Sequence, residues 1–242
     1  MGTLYVVATP IGNLEDITLR AIRTLKEANL IACEDTRHTK ILLDRIGVRV
    51  PLVSFHQHSQ LQKLEWLVEQ LTSGLSIALV TDAGTPGLND PGGVLVAAAI
   101  AAGAQVVPIP GPNAAVTLLS VSGIPTDRYL FLGYLPKKKG RQTMFGKLQV
   151  MIDSWELPIV FYESPERIER TLVDLQAILG DLPVILGREL TKQFEEVWRG
   201  SLTLAVTHWK KTHPRGEFVV VVAPKKMKMP ASSETGETSG GD

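Results

Sequence analysis

The sequence predicts an α/β protein of two lobes, and three observations predict it. Short apolar runs rich in β-branched residues alternate with stretches that carry apolar side chains at helical spacing, an order that builds a parallel sheet. Irregular Gly/Pro segments follow those runs at residues 9–13, 82–92 and 110–113. Ligand sites of such sheets lie beyond the carboxyl ends of the strands. A second set of apolar runs begins after about Pro112. The expected division is an N-terminal α/β lobe over residues 1–112, a C-terminal α/β lobe over 113–224 with a cleft between the two, and a tail over 225–242.

Taken in order, residues 4–8 are a buried-strand run closed by a Pro-Ile-Gly-Asn turn. A helix opens near Asp16 and carries Leu19, Ile22, Leu25 and Ala28 at roughly helical spacing. Residues 30–33 read as a second strand. Residues 36–46 read as a helix capped by Asp35 and stopped by Gly47. Further strands are expected at 52–55, 77–81 and 105–109, with helices at 60–71 and 93–102, and the Pro110–Asn113 turn opens another helix. In the second half, strands are expected at 129–132, 159–162, 184–186 and 218–222, with 194–199 as a further candidate. Helices fit at 141–153, 167–179 and 201–210. From Lys225 the chain is Lys-rich, then rich in Ser, Gly and Thr, a composition that predicts a disordered tail.

Composition excludes several classes. The 242 residues are 44% apolar, ample for a core and far from the disordered class. With 25 basic and 25 acidic side chains, the whole-chain charge leaves no nucleic-acid footprint, so an RNA argument must rest on local patches. The one cysteine, Cys33, excludes a disulfide framework and a multi-cysteine zinc site; it reads as core in a cytoplasmic protein. No charge stands between Asp90 and Asp127, but prolines interrupt the stretch, and its longest Pro-free piece, residues 92–107, is too short to span a membrane.

Some motifs mislead. No G-x-G-x-x-G follows the first strand, so the dinucleotide fingerprint is absent. Residues 140–147 imitate a phosphate loop, but five residues separate the glycines and Leu148 stands where Ser or Thr is needed. His56 and His58 share a strand-like spacing without an evident third ligand, so no metal is expected.

Other segments are harder to dismiss. Residues 82–93 hold four glycines and two prolines directly after an apolar run, and long loops of this kind are usually functional. Glu34-Asp35-Thr36-Arg37-His38-Thr39 packs both charge signs at a strand end that opens a helix. Arg188-Glu189-Leu190-Thr191-Lys192 with Glu195-Glu196 is a second dense cluster. Tyr162-Glu163 ends another strand. Lys137-Lys138-Lys139-Gly140-Arg141 puts four positive charges in five residues, a patch that attracts RNA phosphates as well as solvent.

In this order the strings LYVVATPIGNLEDIT, EDTRHT, DAGTPGLNDPG, PGPNAA, GYLPKKKGR, FYESPERI and RELTKQFEE resemble the ribosomal RNA small subunit methyltransferase I family. That family lies within the tetrapyrrole methylase superfamily, the class III S-adenosylmethionine-dependent methyltransferases. The resemblance runs from about Leu4 to Pro224. It implies a two-lobed homodimer with S-adenosyl-L-methionine in the cleft between lobes. It also implies methyl transfer to the ribose 2′-hydroxyl of a cytidine in the decoding region of 16S rRNA, with the small ribosomal subunit as partner. The matched donor-binding positions are Ile11, Gly84 and Thr85, Leu88, Asn113 and Ala114, with Glu163, Glu189 and Leu190 from the second half. Porphyrinogen-methylating relatives carry Gly-Asp-Pro where this chain has Gly84-Thr85-Pro86, which favours the ribosomal branch. Many members carry a further helical segment after the second lobe; here only a short tail follows.

On this reading Asp35, Glu163 and Glu189 are the carboxylates expected to help remove the hydroxyl proton. Arg37, His38, Arg188 and Lys192 are expected at the flanking phosphates or ribose, together with Lys137, Lys138, Lys139 and Arg141. Two other readings stay open: a relative that methylates a tetrapyrrole or other small substrate, and a non-catalytic RNA-binding assembly factor.

Overall fold

The computed structural model describes residues 1–56, 61–212 and 215–227. The described residues form two compact units, Met1–Ala114 with Thr191–Gln193, and Ala115–Leu190 with the described residues from Phe194 onward.

The first unit contains β1 (Thr3–Val7), α1 (Leu19–Glu27), β2 (Leu30–Cys33), α2 (Thr36–Ile46), β3 (Leu52–Ser54), α3 (Leu61–Thr72), β4 (Ile77–Leu79), α4 (Gly92–Ala101) and β5 (Gln105–Ile109). Its sheet runs β3-β2-β4-β1-β5 with every pair parallel. Helices cover both faces, which is why these strands are largely apolar instead of strictly alternating. Leu4 packs with Leu67, Ile77 and Leu95 on one face, while its neighbour Tyr5 packs with Leu25, Ile31 and Val80 on the other.

Local chemistry accounts for the helix ends. α1 opens at Leu19 instead of near Asp16, because the Thr18 hydroxyl accepts the Ala21 N–H at 3.0 Å. Asp16 instead closes a single 3₁₀ turn, Leu14–Asp16, whose Glu15 N–H is accepted by the Asn13 side chain at 3.0 Å. α2 begins beside Asp35 and stops at Gly47, which sits at φ +66°. The expected start of α3 at residue 60 lies outside the described residues, as does His58. The charge-free stretch after Asp90 becomes α4, β5 and α5 (Ala114–Ser120). Among the described residues no helix is long and apolar enough to cross a membrane.

The second unit contains β6 (Leu130–Tyr134), α6 (Arg141–Trp155), β7 (Ile159–Glu163), α7 (Pro165–Leu179), β8 (Pro183–Arg188), β9 (Glu196–Ser201), α8 (Leu202–Thr212) and β10 (Phe218–Val222). Its sheet runs β6-β7-β10-β8-β9. Only β6 and β7 are parallel; β10 runs antiparallel to β7 and β8, and β8 antiparallel to β9. The short connection from β8 to β9 carries no helix, so it can only reverse the chain into an antiparallel pair. β10 is central and entirely buried, and its Phe218 and Val220 pack with Phe145, Phe161, Leu172 and Trp209.

The tail departs from expectation at its start. Lys225–Met227 form a turn in which the Met227 N–H donates to Pro224 O at 2.9 Å and Lys226 pairs with Glu156. Residues 228–242 lie outside the described residues.

Candidate functional site

In the first unit, three segments that leave the carboxyl ends of neighbouring strands meet. Thr9, beyond β1, exchanges two backbone hydrogen bonds with Gly84: its N–H donates to Gly84 O at 2.9 Å, and the Gly84 N–H donates to Thr9 O at 3.1 Å. The Thr9 hydroxyl donates to Thr81 O at 3.0 Å. Gly84 sits at φ +86°, and a Cβ there would stand 3.5 Å from Ile11 Cγ2 and 3.8 Å from Pro112 O. The Thr85 hydroxyl donates to Pro112 O at 3.3 Å. Ile11, Gly84, Thr85 and Pro112 are thus brought together. Asn113 and Ala114 continue from Pro112 into α5 and are half-buried. At Gly111 an added Cβ would meet Ala8 Cβ at 3.0 Å, so glycine permits the close approach of this exit to that of β1.

The 82–93 loop is rigid for a visible reason. The Asp90 carboxylate accepts the Gly87 N–H at 2.8 Å and the Gly92 N–H at 2.7 Å. It ties the loop back on itself and accepts the first N–H of α4, just outside the N-cap residue Pro91. Leu88 projects at the tip, 46% exposed. Space around Gly84 is ordinary, but its backbone is left-handed. Gly84→Ala is therefore expected to cost about 1–2 kcal/mol, measured by urea unfolding. An unchanged midpoint would show that the loop reaches an alternative conformation freely.

At the end of β2, Asp35 caps α2. Its carboxylate accepts the Arg37 N–H at 2.8 Å and forms a two-pronged pair with the guanidinium, 3.2 Å from Nε and 2.7 Å from Nη2. These bonds hold the Asp35 carboxyl well below the usual carboxylate range. Asp35 is therefore a fixed acceptor and a weak base. Arg37 is 90% exposed and His38 is exposed. Two further carboxylates flank this end of the sheet. The Asp82 carboxylate accepts the Asp35 N–H at 3.1 Å, and the Glu34 carboxylate accepts the Thr81 hydroxyl at 3.3 Å. Burial, reinforced by the Asp82 charge, pushes the Glu34 carboxyl up. Sequence reasoning named Glu34 and Asp82 inside their segments without singling either out. The usable signal was position, since Glu34 is the first polar residue beyond an apolar run.

The second unit corrects two expectations. Glu163 is 0% exposed. Its carboxylate accepts the Ser164 N–H at 2.9 Å and the Thr171 hydroxyl at 2.6 Å, and pairs with Arg167 Nε at 3.1 Å. A carboxylate so buried and so occupied is structural and takes no substrate proton. Arg141 is 5% exposed. It donates to Asp174 from Nε and Nη2 at 3.0 and 2.9 Å, to the Thr171 hydroxyl at 3.0 Å and to Pro136 O at 3.2 Å, and its guanidinium lies over the Phe145 ring. It is a clamp inside the fold, not a contact for RNA phosphates. Lys137, Lys138 and Lys139, next to it in sequence, are exposed.

Around the end of β8 the polar groups are already engaged. Arg188 Nε pairs with Glu196 at 3.2 Å across the β8–β9 hairpin. Glu189 has φ +48°, donates its N–H to Glu217 O at 3.0 Å, and accepts the Glu217 N–H on its carboxylate at 3.0 Å. Leu190 is 6% exposed and lies against Gly187, which leaves only its backbone for a ligand. Thr191, at φ +67°, accepts the Asn13 N–H on its hydroxyl at 3.1 Å. That bond helps place Thr191–Gln193, and with it half-buried Lys192, in the first unit.

Cys33 is buried, as expected, and burial pushes its thiol up. It is expected to resist iodoacetamide at neutral pH in the folded protein and to react once urea unfolds the chain. Rapid native alkylation, read by mass spectrometry, would contradict this.

A family model described as Tetrapyrrole (Corrin/Porphyrin) Methylases matches residues 3–205. The ribosomal RNA small subunit methyltransferase I of Halalkalibacterium halodurans is 50% identical over 223 residues, covering 91% of this chain and 75% of the relative. That of Thermotoga maritima is 41% identical over 226 residues, covering 93% of this chain and 100% of the relative. Relatives of this kind therefore occur both with and without sequence beyond the shared part. Among solved structures, a diphthine synthase superposes with a TM-score of 0.73 at 14% identity, covering 94% of this chain and 92% of that one, a likeness of fold alone.

Proposed function

This chain belongs to the tetrapyrrole methylase family, and we propose that it transfers a methyl group from S-adenosyl-L-methionine to ribosomal RNA of the small subunit, at the ribose 2′-hydroxyl of a cytidine in the decoding region of 16S rRNA. The observation that carries this reading is the meeting of Ile11, Gly84, Thr85 and Pro112 beyond the carboxyl ends of parallel strands. It occurs in a chain 41–50% identical to ribosomal RNA small subunit methyltransferases I. A homodimer and a cytoplasmic location go with the reading.

The three loops fit a small zwitterionic donor. Gly12, Gly87 and Gly111 are exposed and present peptide edges without side chains, and Gly84 leaves its Cβ position empty beside Ile11. Ile11, Gly84, Thr85, Leu88, Asn113 and Ala114 are the residues that would hold it. When bound, S-adenosyl-L-methionine supplies a methyl group already activated by its sulfonium, so the protein needs no nucleophile of its own. Its task is to align the ribose oxygen and accept the proton.

Of the three carboxylates expected for that proton, Glu163 is enclosed and Glu189 is engaged with Glu217. Asp35 is held ionised by Arg37, which suits an acceptor that orients the hydroxyl. Glu34 has the higher proton affinity and stands at the same strand end. The acid–base role therefore falls to the Glu34–Asp35 pair, and Glu163 has no part in it.

The test is incubation of the protein with radiolabelled S-adenosyl-L-methionine and small ribosomal subunits from a strain lacking the gene, followed by mapping of ribose methylation. Label on one decoding-region cytidine is expected. Label in a porphyrinogen and none in rRNA would replace the substrate. Protection of RNA without methyl transfer would replace the enzyme reading altogether.

A further inference from the structure

The topology of the first sheet sorts its helices by face. α1 and α2 carry the chain in one direction across it, from β1 to β2 to β3, while α3 and α4 carry it back, to β4 and then β5. Right-handed crossovers therefore put the two pairs on opposite faces. The packing agrees: Leu25 of α1 and Leu43 of α2 share one core cluster, Leu67 of α3 and Leu95 of α4 the other.

The sequence charges these two faces differently. Arg20, Arg23 and Lys26 stand on α1, Arg37, Lys40 and Arg45 on α2, and Arg49 just beyond it; all are exposed. The only other lysine or arginine before Arg128 is Lys63 on α3, which is half-buried and donates to the Ser54 hydroxyl at 3.0 Å. α3 otherwise carries Glu65 and Glu69, and α4 carries no charge. Two cations of the first face are partly spent: Arg37 on Asp35, and Arg20, whose Nη2 donates to Pro108 O at 2.7 Å. Among the described residues, Arg23, Lys26, Lys40, Arg45 and Arg49 form no ion pair. Glu27 and Asp44 are exposed four residues beyond Arg23 and Lys40, the weaker order for a helical pair, and close none either. Cations gathered on one face repel one another, although the chain has as many acidic groups, 25 against 25, to place among them.

We propose that the outer face of α1 and α2 holds the phosphate backbone of the rRNA segment that flanks the target ribose, with Arg23, Lys26, Lys40, Arg45 and Arg49 as the contacts. The proposal rests on the reading of the chain as an rRNA methyltransferase and adds to it a binding surface in the first unit. α2 opens at Asp35, and its eleven residues span about 16 Å. RNA whose ribose reaches Glu34 and Asp35 has its neighbouring phosphates over the turns that carry Lys40 and Arg45. Arginine predominates on this face, and its guanidinium fork fits phosphate oxygens. Such contacts fix the position of the RNA and carry no sequence information. An anionic bilayer fits less well. The apolar stripes of both helices are buried in the core, and the large apolar side chains left exposed here, Leu19 and Ile41, are too few to insert.

The test compares double variants of the full chain, each scored by binding to small ribosomal subunits and to naked 16S rRNA over a range of salt. All of the changed side chains are exposed, so folding is expected to be unaffected. Arg23→Gln with Lys40→Gln removes one cation from each helix and keeps a good helix former at both positions. Affinity is expected to fall about tenfold at low salt, and the slope of log affinity against log salt by about 2. Glu27→Gln with Asp44→Asn removes acids from the same face and is expected to tighten binding about threefold. Glu65→Gln with Glu69→Gln changes the net charge by the same amount on the other face. Near 0.15 M salt, where screening acts within about 8 Å, its affinity is expected to stay within about twofold of wild type.

Equal responses to the two acid-to-amide variants, or an unchanged salt slope in the first variant, overturn the proposal. A loss on small subunits with none on naked 16S rRNA assigns the face to an acidic protein surface and overturns it as well. If the wild type methylates rRNA while every variant binds alike, the face is merely solvated and the functional reading stands. If the wild type transfers nothing to rRNA but the variants separate as expected, the functional reading fails and the RNA surface stands.

Discussion

Replacing Arg141 with alanine is expected to destabilise the protein by about 3–5 kcal/mol, the range for removing one partner of a buried ion pair. In thermal unfolding followed by circular dichroism this corresponds to a drop on the order of 10 °C. The argument starts from burial. Arg141 is 5% exposed, and its loss strips two hydrogen bonds from Asp174 and one each from the Thr171 hydroxyl and Pro136 O. Thr171 also donates to Glu163 at 2.6 Å, so the damage reaches the carboxylate at the end of β7. The aromatic contact with Phe145 goes as well. A phosphate contact predicts the opposite pattern, with stability intact and the salt dependence of RNA binding reduced. That result would return Arg141 to the RNA surface. Arg141→Lys keeps the charge but not the fork that serves Asp174, Thr171 and Pro136 together, and is expected to recover only part of the loss.

What could be read from the sequence divides along a physical line. Asp35 and Gly47 marked the ends of α2 because cap chemistry is local: a carboxylate within reach of a nearby N–H, and a left-handed residue that glycine adopts without cost. Phe218–Val222 read as a buried strand because a continuous β-branched run has few other uses. Strand direction in the second sheet was not local. It depends on what joins β8 to β9 and on where β10 inserts, and neither leaves a mark in the run itself.

The same line passes through the candidate site. The Gly/Pro loops announced themselves at strand ends, and Gly84, Thr85, Ile11 and Pro112 do meet. The basic run from Lys137 looked uniform and is not. Gly140, at φ +79°, turns the chain into α6, and Arg141 then meets Asp174 and Thr171, partners about thirty residues away. Glu163 misled for a related reason. A carboxylate at a strand end is a fair catalytic candidate until Arg167 and Thr171, one and two turns along α7, are seen to enclose it.

That separation within one basic run yields the second large effect. Changing Lys137, Lys138 and Lys139 together to alanine is expected to leave folding stability within about 0.5 kcal/mol, the usual range for surface substitutions, because all three side chains are exposed. On the proposed rRNA substrate, it is expected to weaken binding by roughly a hundredfold at low salt. The slope of log affinity against log salt should fall by about 2–3, close to one for each phosphate contact removed. The chain has no net charge, 25 basic against 25 acidic groups, so no general field compensates for a lost local patch. On the proposed reading the lysines position the RNA without touching the reacting atoms, so KM for small subunits should carry the loss and kcat should be nearly unchanged. Donor affinity, measured calorimetrically, should stay at the wild-type value. An unaltered salt slope would show that the run is only solvated and that RNA is held elsewhere. A fall in kcat with KM intact would place these lysines at the reacting ribose instead.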